Sequence, residues 1–213
     1  VNSQKCPSAV TVVNVLLNLA ISLYHLFFQL RENVPNPLDQ VTLVDLDDQV
    51  IGVMDKVAAH RGAGVLHRAV SIFLFNDQHQ LLLQQRSAQK IVGAMEWANT
   101  CCGNVRPGES YEECAYRRLK EELGIVAVKL HPLEKFIYQV ECNSEFSEYE
   151  MDQVFAGFYA GAVKANPKEV KGSKWVKWSE VKTAQFNNKK IAPWFALMLA
   201  RKSLINKLER YAK

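Results

Sequence analysis

From Ala9 to Leu30 the chain carries no charged residue, and its polar positions Thr11, Asn14, Asn18, Ser22, His25 and Gln29 recur at steps of three or four. That period predicts a helix with one polar stripe. At about 1.5 Å per residue the run reaches roughly 30 Å, so a membrane anchor, a helix–helix contact and a targeting role all fit it. Pro35-Asn36-Pro37 separates it from the rest of the chain, since proline cannot continue a helix. The expected division is an apolar helix and linker over 1–38 and a separate domain over 39–213.

Beyond Pro37 the pattern turns to short β-rich runs. Val41–Leu46 and Val50–Met54 flank Asp47-Asp48-Gln49 as a hairpin would, and Ala69–Phe75 with Leu81–Gln85 flank a second polar turn. Further strands are expected over 125–140, 150–162 and 174–178. Ser110 with Glu113 three residues on forms a capping box, and Gly124 stands where a helix should stop, which predicts a helix over Tyr111–Leu123. Apolar residues return at helical spacing from Ala192 to Ala212. Strands interleaved with helices give an α/β (α+β) domain.

Composition narrows the function. The 213 residues are 48% hydrophobic and 23% charged, enough apolar content for a proper core. A net charge of +4 is too small and too dispersed for a nucleic-acid groove, though it suits a small anion. The five cysteines include the adjacent pair Cys101 and Cys102 and no C-x-x-C. A reducing, cytoplasmic setting fits them better than a disulfide framework or a zinc ribbon.

The chemistry concentrates between Gly103 and Ile125. Gly103 is followed by Glu109, then by Arg117-Arg118-Leu119-Lys120-Glu121-Glu122-Leu123-Gly124. Glu113, Arg117 and Glu121 share one helical face, and Arg118 with Glu122 a neighbouring one. Hard carboxylate oxygens in such an array suit Mg²⁺ bridged to phosphate. This segment closely resembles the Nudix box, which implies a Nudix-type αβα sandwich with a mixed sheet. Where the hydrolytic form of the box has a glutamate after the first arginine, this chain has Arg118, and a cation cannot activate water as a base.

The remaining motifs resemble the type I isopentenyl-diphosphate isomerases, a non-hydrolytic Nudix branch. They are Ala58-Ala59-His60, His67-Arg68-Ala69, Phe73-Leu74-Phe75-Asn76, Leu81–Ser87, Asn99-Thr100-Cys101-Cys102, Glu148-Tyr149-Glu150 and Ala192-Pro193-Trp194. The resemblance runs from about Val41 to Leu199. It implies interconversion of isopentenyl and dimethylallyl diphosphate by proton addition and removal, in isoprenoid biosynthesis. By the same resemblance Cys102 and Glu150 are the two proton-transfer groups, Tyr138 assists, and Trp194 faces the carbocation. Lys56, Arg86, Lys90 and Arg118 fall at diphosphate-binding positions, and Glu122 shares a Mg²⁺ with the diphosphate. His60, His67, Glu148 and Glu150 fall at ligand positions for a second divalent metal, Zn²⁺, Mn²⁺ or Mg²⁺.

The family's third histidine ligand would stand at position 104, where this chain has Asn104, a weak neutral oxygen donor. Gly93–Asn99 also departs from the family's Pro-Gly-x-Trp/Phe-Thr-Asn. A Nudix hydrolase of a diphosphate substrate, an impaired isomerase-like protein and a non-catalytic binding module therefore stand as alternatives. Monomer and homodimer are equally open.

Overall fold

The computed structural model describes residues 39–183 and 190–212. The helix expected over 9–30, Cys6 and the linker lie outside the described residues.

Nine strands form one mixed sheet: β1 (Gln40–Val44), β2 (Val50–Asp55), β3 (His67–Phe75), β4 (Gln80–Arg86), β5 (Trp97–Ala98), β6 (Cys101–Asn104), β7 (His131–Glu141), β8 (Ser147–Phe158) and β9 (Val170–Lys177). Among the described residues five helices accompany them: α1 (Lys56–His60), α2 (Tyr111–Leu123), α3 (Trp178–Lys182), α4 (Pro193–Ala200) and α5 (Lys202–Leu208). The organising strand is β3. It runs parallel to β8 from His67↔Glu150 to Phe75↔Phe158, and antiparallel to β6 from Ala69↔Asn104 to Ile72↔Cys101. Strand β7 pairs antiparallel with the far edge of β8.

Alternation along β3 builds the three layers. Phe73 and Phe75 point to one face, where they pack with Trp194, Phe195, Met198, Leu204 and Leu208 from α4 and α5. Val70, Ile72 and Leu74 point to the other and pack with Cys114, Ala115, Leu119 and Leu123 of α2. A strand buried on both faces reads as a nearly continuous apolar run, and β3 does so from Ala69 to Phe75 with only Ser71 interrupting it. Together these layers make the Nudix-type αβα arrangement that the box implied.

Helix α2 has the limits its caps dictate. The Ser110 hydroxyl accepts from the Glu113 amide, the Glu113 carboxylate accepts from the Ser110 amide, and Gly124 closes the helix at φ 67°. Elsewhere the boundaries shift. The strand expected from 125 begins at His131, because the chain leaving α2 is held by loop contacts, with Lys164 and Asn166 amides donating to the Leu123 and Glu122 carbonyls. The strand expected over 150–162 is Ser147–Phe158, and that expected over 174–178 is Val170–Lys177, with Trp178 opening α3. The single C-terminal helix divides at Arg201, whose extended backbone (φ −83°, ψ 98°) separates α4 from α5. No proline or glycine marks that break; Arg201, Ser203 and Lys207 instead all turn to Glu134 on β7. Periodicity also passes over α1, β5, β6 and α3, which are too short to show it.

Candidate active site

Register on the sheet assembles the site. Directly paired residues share a face, so Cys102 lies beside Ser71, Asn104 and Asp152 flank Ala69, and Glu150 lies between His67 and Tyr138. All are on the face that carries Phe73 and Trp194. Glu148, two residues before Glu150, shares it. Helix α1, capped by Asp55, brings His60 against this row. Three sequence-separated pieces, α1, β6 and β7–β8, thus converge on the first half of β3.

His60 and His67 are held in the same way. His60 Nδ1 bonds the Lys56 carbonyl at 2.6 Å and His67 Nδ1 bonds the Val65 carbonyl at 2.7 Å. A carbonyl only accepts, so each ring carries a proton on Nδ1 and turns Nε2 inward. On His60 burial presses the pKa down, but the facing Glu148 carboxylate outweighs it, raises the pKa and accepts from a second proton on Nε2. His60 Nε2 lies 2.9 Å from Glu148 Oε2, and His67 Nε2 lies 3.7 Å from Glu150 Oε1. The four ligand atoms lie within 4.8 Å of one another, and all four residues are buried. Nitrogen and carboxylate donors clustered out of water, with both imidazoles oriented by backbone carbonyls, form a donor set suited to a divalent cation. Burial presses Glu148 upward, but the charge and hydrogen bond of His60 outweigh it and bring the carboxyl down to about 2. Burial drives His67 down to about 4.

Asn104, where a histidine was expected, does not stand idle. Its Nδ2 lies 2.9 Å from His67 Nε2 and donates to Glu150 Oε1 at 3.2 Å. The Tyr138 hydroxyl donates to the other Glu150 oxygen. Burial and the neighbouring Glu148 and Asp152 push the Glu150 carboxyl well above its ordinary range.

The adjacent cysteines point to opposite faces. Cys102 donates to Asn99 Oδ1 at 3.2 Å and lies 3.6 Å from Ser71 Oγ. Burial, with Asp152 adding to it, pushes its thiol up to about 12. Cys101 turns to the α2 side and donates to Glu122 at 3.2 Å. Cys101, Cys102, Cys114 and Cys142 are all free thiols.

The four expected anion-binding cations come from four segments. Lys56 opens α1, Arg86 ends β4, Lys90 follows in the loop, and Arg118 sits on α2. Partial burial, then repulsion from Lys90, Arg118 and Arg86, lowers the pKa of Lys56. Glu122 anchors two of them. Its Oε1 accepts from Lys90 at 2.9 Å and from Arg118, while Oε2 accepts from Gln84 at 3.0 Å and from Cys101. Despite complete burial, Arg118 and Lys90 hold its carboxyl well below the usual range. Arg118 reaches this position over Gly103, where a Cβ would lie 2.8 Å from Arg118 Cδ. Arg86 lies over the Trp194 ring at 4.9 Å from its centroid and donates to the Val92 carbonyl. One face of the indole is therefore already taken by a cation.

Several participants carry no mark in the sequence motifs. Glu169, in the loop before β9, accepts from Lys90 and Arg118. Asp152, fully buried with both oxygens unpartnered, continues the two-residue period of Glu148 and Glu150, a signal that was there to be read. Ser71 contacts Cys102 from a position that reads as strand filler, whereas Asn99, which accepts from the thiol, lies inside the Asn99-Thr100-Cys101-Cys102 motif.

Comparison with known proteins agrees with this geometry. The NUDIX domain family matches residues 65–195. Isopentenyl-diphosphate Delta-isomerase 1 of Aromatoleum aromaticum is 46% identical over 138 residues, covering 65% of this chain and 77% of its own. Isopentenyl-diphosphate Delta-isomerase of Serratia proteamaculans is 37% identical over 176 residues, covering 82% of this chain and 97% of its own. Among solved structures, a protein from Deinococcus radiodurans superposes with a TM-score of 0.62 at 24% identity, over 76% of this chain and 98% of its own, a likeness of fold. With its sheet, its box and relatives of this identity, the chain belongs to the NUDIX family and, within it, to the isopentenyl-diphosphate Delta-isomerases.

Proposed function

We propose that the protein interconverts isopentenyl diphosphate and dimethylallyl diphosphate, with Cys102 and Glu150 as its proton-transfer groups. The observation that carries this is their placement: a half-buried thiol and a buried carboxyl on one sheet face, with only β3 between their strands. In the forward direction a proton adds to the terminal CH₂ of the double bond and the tertiary centre becomes cationic. Loss of a proton from the carbon next to the CH₂–O group then forms the new double bond. No atom is gained or lost, and one group ends protonated as the other gives up its proton; in the reverse direction they exchange roles. The step needs one group protonated and the other free to accept: the Cys102 thiol, pushed up to about 12, holds its proton near neutrality, and the raised pKa of Glu150 makes its carboxylate the stronger base. Tyr138, bonded to Glu150, orients that carboxyl and passes a proton with it.

The other residues serve the substrate's two ends. Trp194 offers its remaining ring surface to the carbocation, an attraction on the order of 2 kcal/mol in a dry site. Lys56, Arg86, Lys90 and Arg118 take the diphosphate, for which guanidinium forks and ammonium groups are matched. Glu122 and Glu169 keep Lys90 and Arg118 in place. Both Glu122 oxygens are engaged by donors, so Glu122 would hold Mg²⁺ only with Lys90 and Arg118 turned to the phosphate oxygens. Mg²⁺ bound there would neutralise diphosphate charge. The residues of the second site, His60, His67, Glu148 and Glu150, fit a Zn²⁺, Mn²⁺ or Mg²⁺ ion that would offset the two glutamates' mutual repulsion.

We place this chemistry in the domain over 39–213, acting on a small diphosphate in the cytoplasm, where free thiols persist. Incubation with isopentenyl diphosphate and Mg²⁺, followed by NMR and a phosphate assay, tests it. Dimethylallyl diphosphate without phosphate release is expected; inorganic phosphate or a monophosphate as the main product would replace isomerisation with hydrolysis.

A further inference from the structure

Asn104 sits where two acceptors need a positive charge. His67 Nε2 and Glu150 Oε1 are 3.7 Å apart, and neither carries a proton toward the other while His67 keeps its proton on Nδ1 for the Val65 carbonyl. One amide nitrogen has two hydrogens, and Asn104 Nδ2 is within bonding distance of both acceptors, 2.9 Å from the imidazole and 3.2 Å from the carboxyl oxygen. A divalent ion held by those two atoms would have to approach each to about 2.1 Å. A spacing of 3.7 Å suits either occupant, but both draw on the same two lone pairs.

The backbone around Asn104 is fixed. Its carbonyl accepts from Arg117 at 3.1 Å and from the Cys114 thiol at 3.3 Å, and β6 pairs it with Ala69, whose small side chain leaves room for the amide. Only the side-chain torsions are free to move. A cation taking His67 and Glu150 as ligands must therefore turn the amide away, which costs the two hydrogen bonds it makes. When no cation is bound, those bonds hold Glu150 in line with Tyr138.

We propose that Asn104 is a built-in competitor for the cation: its amide bridges His67 and Glu150 in the metal-free protein, positions Glu150 there, and weakens metal binding by the worth of that bridge. This rests on reading His60, His67, Glu148 and Glu150 as a cation site. It differs from treating Asn104 as a poor ligand, because it predicts that deleting the side chain strengthens binding.

The test uses the full-length protein and Zn²⁺ as the probe, with affinity read by competition against a chromophoric chelator and melting temperature read with chelator and with saturating Zn²⁺. Asn104→Ala is expected to tighten Zn²⁺ binding about tenfold, roughly the net worth of the two hydrogen bonds given up. It should lower the melting temperature of the metal-free protein and leave that of the Zn²⁺-saturated protein unchanged. Asn104→Asp, which removes the donor and adds an anionic oxygen, should tighten binding further, and it serves if the alanine variant folds poorly. Unchanged or weaker binding in both variants overturns the proposal, as does an equal loss of melting temperature with and without Zn²⁺, the mark of a purely structural residue. His67→Ala separates the two levels. Zn²⁺ affinity that survives this change removes the cation site itself, whereas affinity lost in His67→Ala but unmoved in the Asn104 variants removes only the competitor.

Discussion

Cys101 and Cys102 differ in environment by one step along a strand. Cys102 faces the buried row of acids and Cys101 faces Glu122. Cys102→Ala should lower kcat by about 10²–10⁴, the range a positioned proton-transfer group contributes, while isothermal titration shows substrate affinity within a few-fold of the parent. Turnover retained at the parent rate would remove the thiol from the chemistry. Tyr138→Phe deletes the hydroxyl that holds one Glu150 oxygen. It should lower kcat more than it raises KM, because the lost contact is to the proposed proton-transfer group and to none of the four proposed diphosphate ligands; a change confined to KM would count against that assignment. At this scale the sequence was legible wherever a role sits inside a local pattern, as with Glu148-x-Glu150 and the Cys-Cys step. Glu169 was not legible, since it lies 79 residues from Lys90 and meets it only through the fold.

The elements read best were those with chemical punctuation. Ser110, Glu113 and Gly124 set the limits of α2, whereas the break at Arg201 follows from a tertiary ion pair that periodicity cannot register. Ser110→Ala removes one half of the capping box and should destabilise the protein by about 1 kcal/mol, seen as a lower urea midpoint with an unchanged slope. Gly103→Ala acts on the same helix from below. Its new methyl would meet Arg118 Cδ at 2.8 Å and Nε at 2.9 Å, so helix and strand must part or Arg118 must shift. The expected cost is about 1–3 kcal/mol, together with weaker retention of the diphosphate. Loss of stability with unaltered substrate affinity would show that Arg118 is not a diphosphate ligand. The N-cap and the close-packed glycine thus tie the position of Arg118 to Ser110 and Gly103.

For the whole domain, the site depends on β1–β2, β3, α2 and β7 being held together away from the chemistry, and one aspartate joins them all. Asp48 reads in the sequence as a turn residue between two strands, and it does occupy the turn, at φ 63°. Its side chain also accepts from Arg68 on β3 at 2.6 Å, Lys135 on β7 at 2.5 Å and the Tyr111 hydroxyl on α2 at 2.8 Å. The turn was legible because it is local; the three partners, distant in sequence, were not. Partial burial would raise the Asp48 carboxyl, but hydrogen bonds from Lys135, Arg68 and Tyr111 outweigh it and lower the pKa. A carboxyl lowered on folding adds stability that is complete above its unfolded value of about 3.9 and is lost as pH falls through the folded value. Asp48→Asn tests this, because asparagine tolerates the positive φ of the turn and keeps one oxygen for Arg68 and Tyr111, while the charge and the oxygen that accepts from Lys135 are lost. With Lys135 partly exposed and its pairing screened by solvent, the expected loss at pH 7 is about 1–2 kcal/mol. Urea midpoints measured from pH 7 down to pH 2 should show the two proteins converging at the acid end, where Asp48 is itself protonated. A gap that persists unchanged at pH 2 would assign the effect to the turn's shape, and leave the four-way ionic junction without a share in the domain's stability.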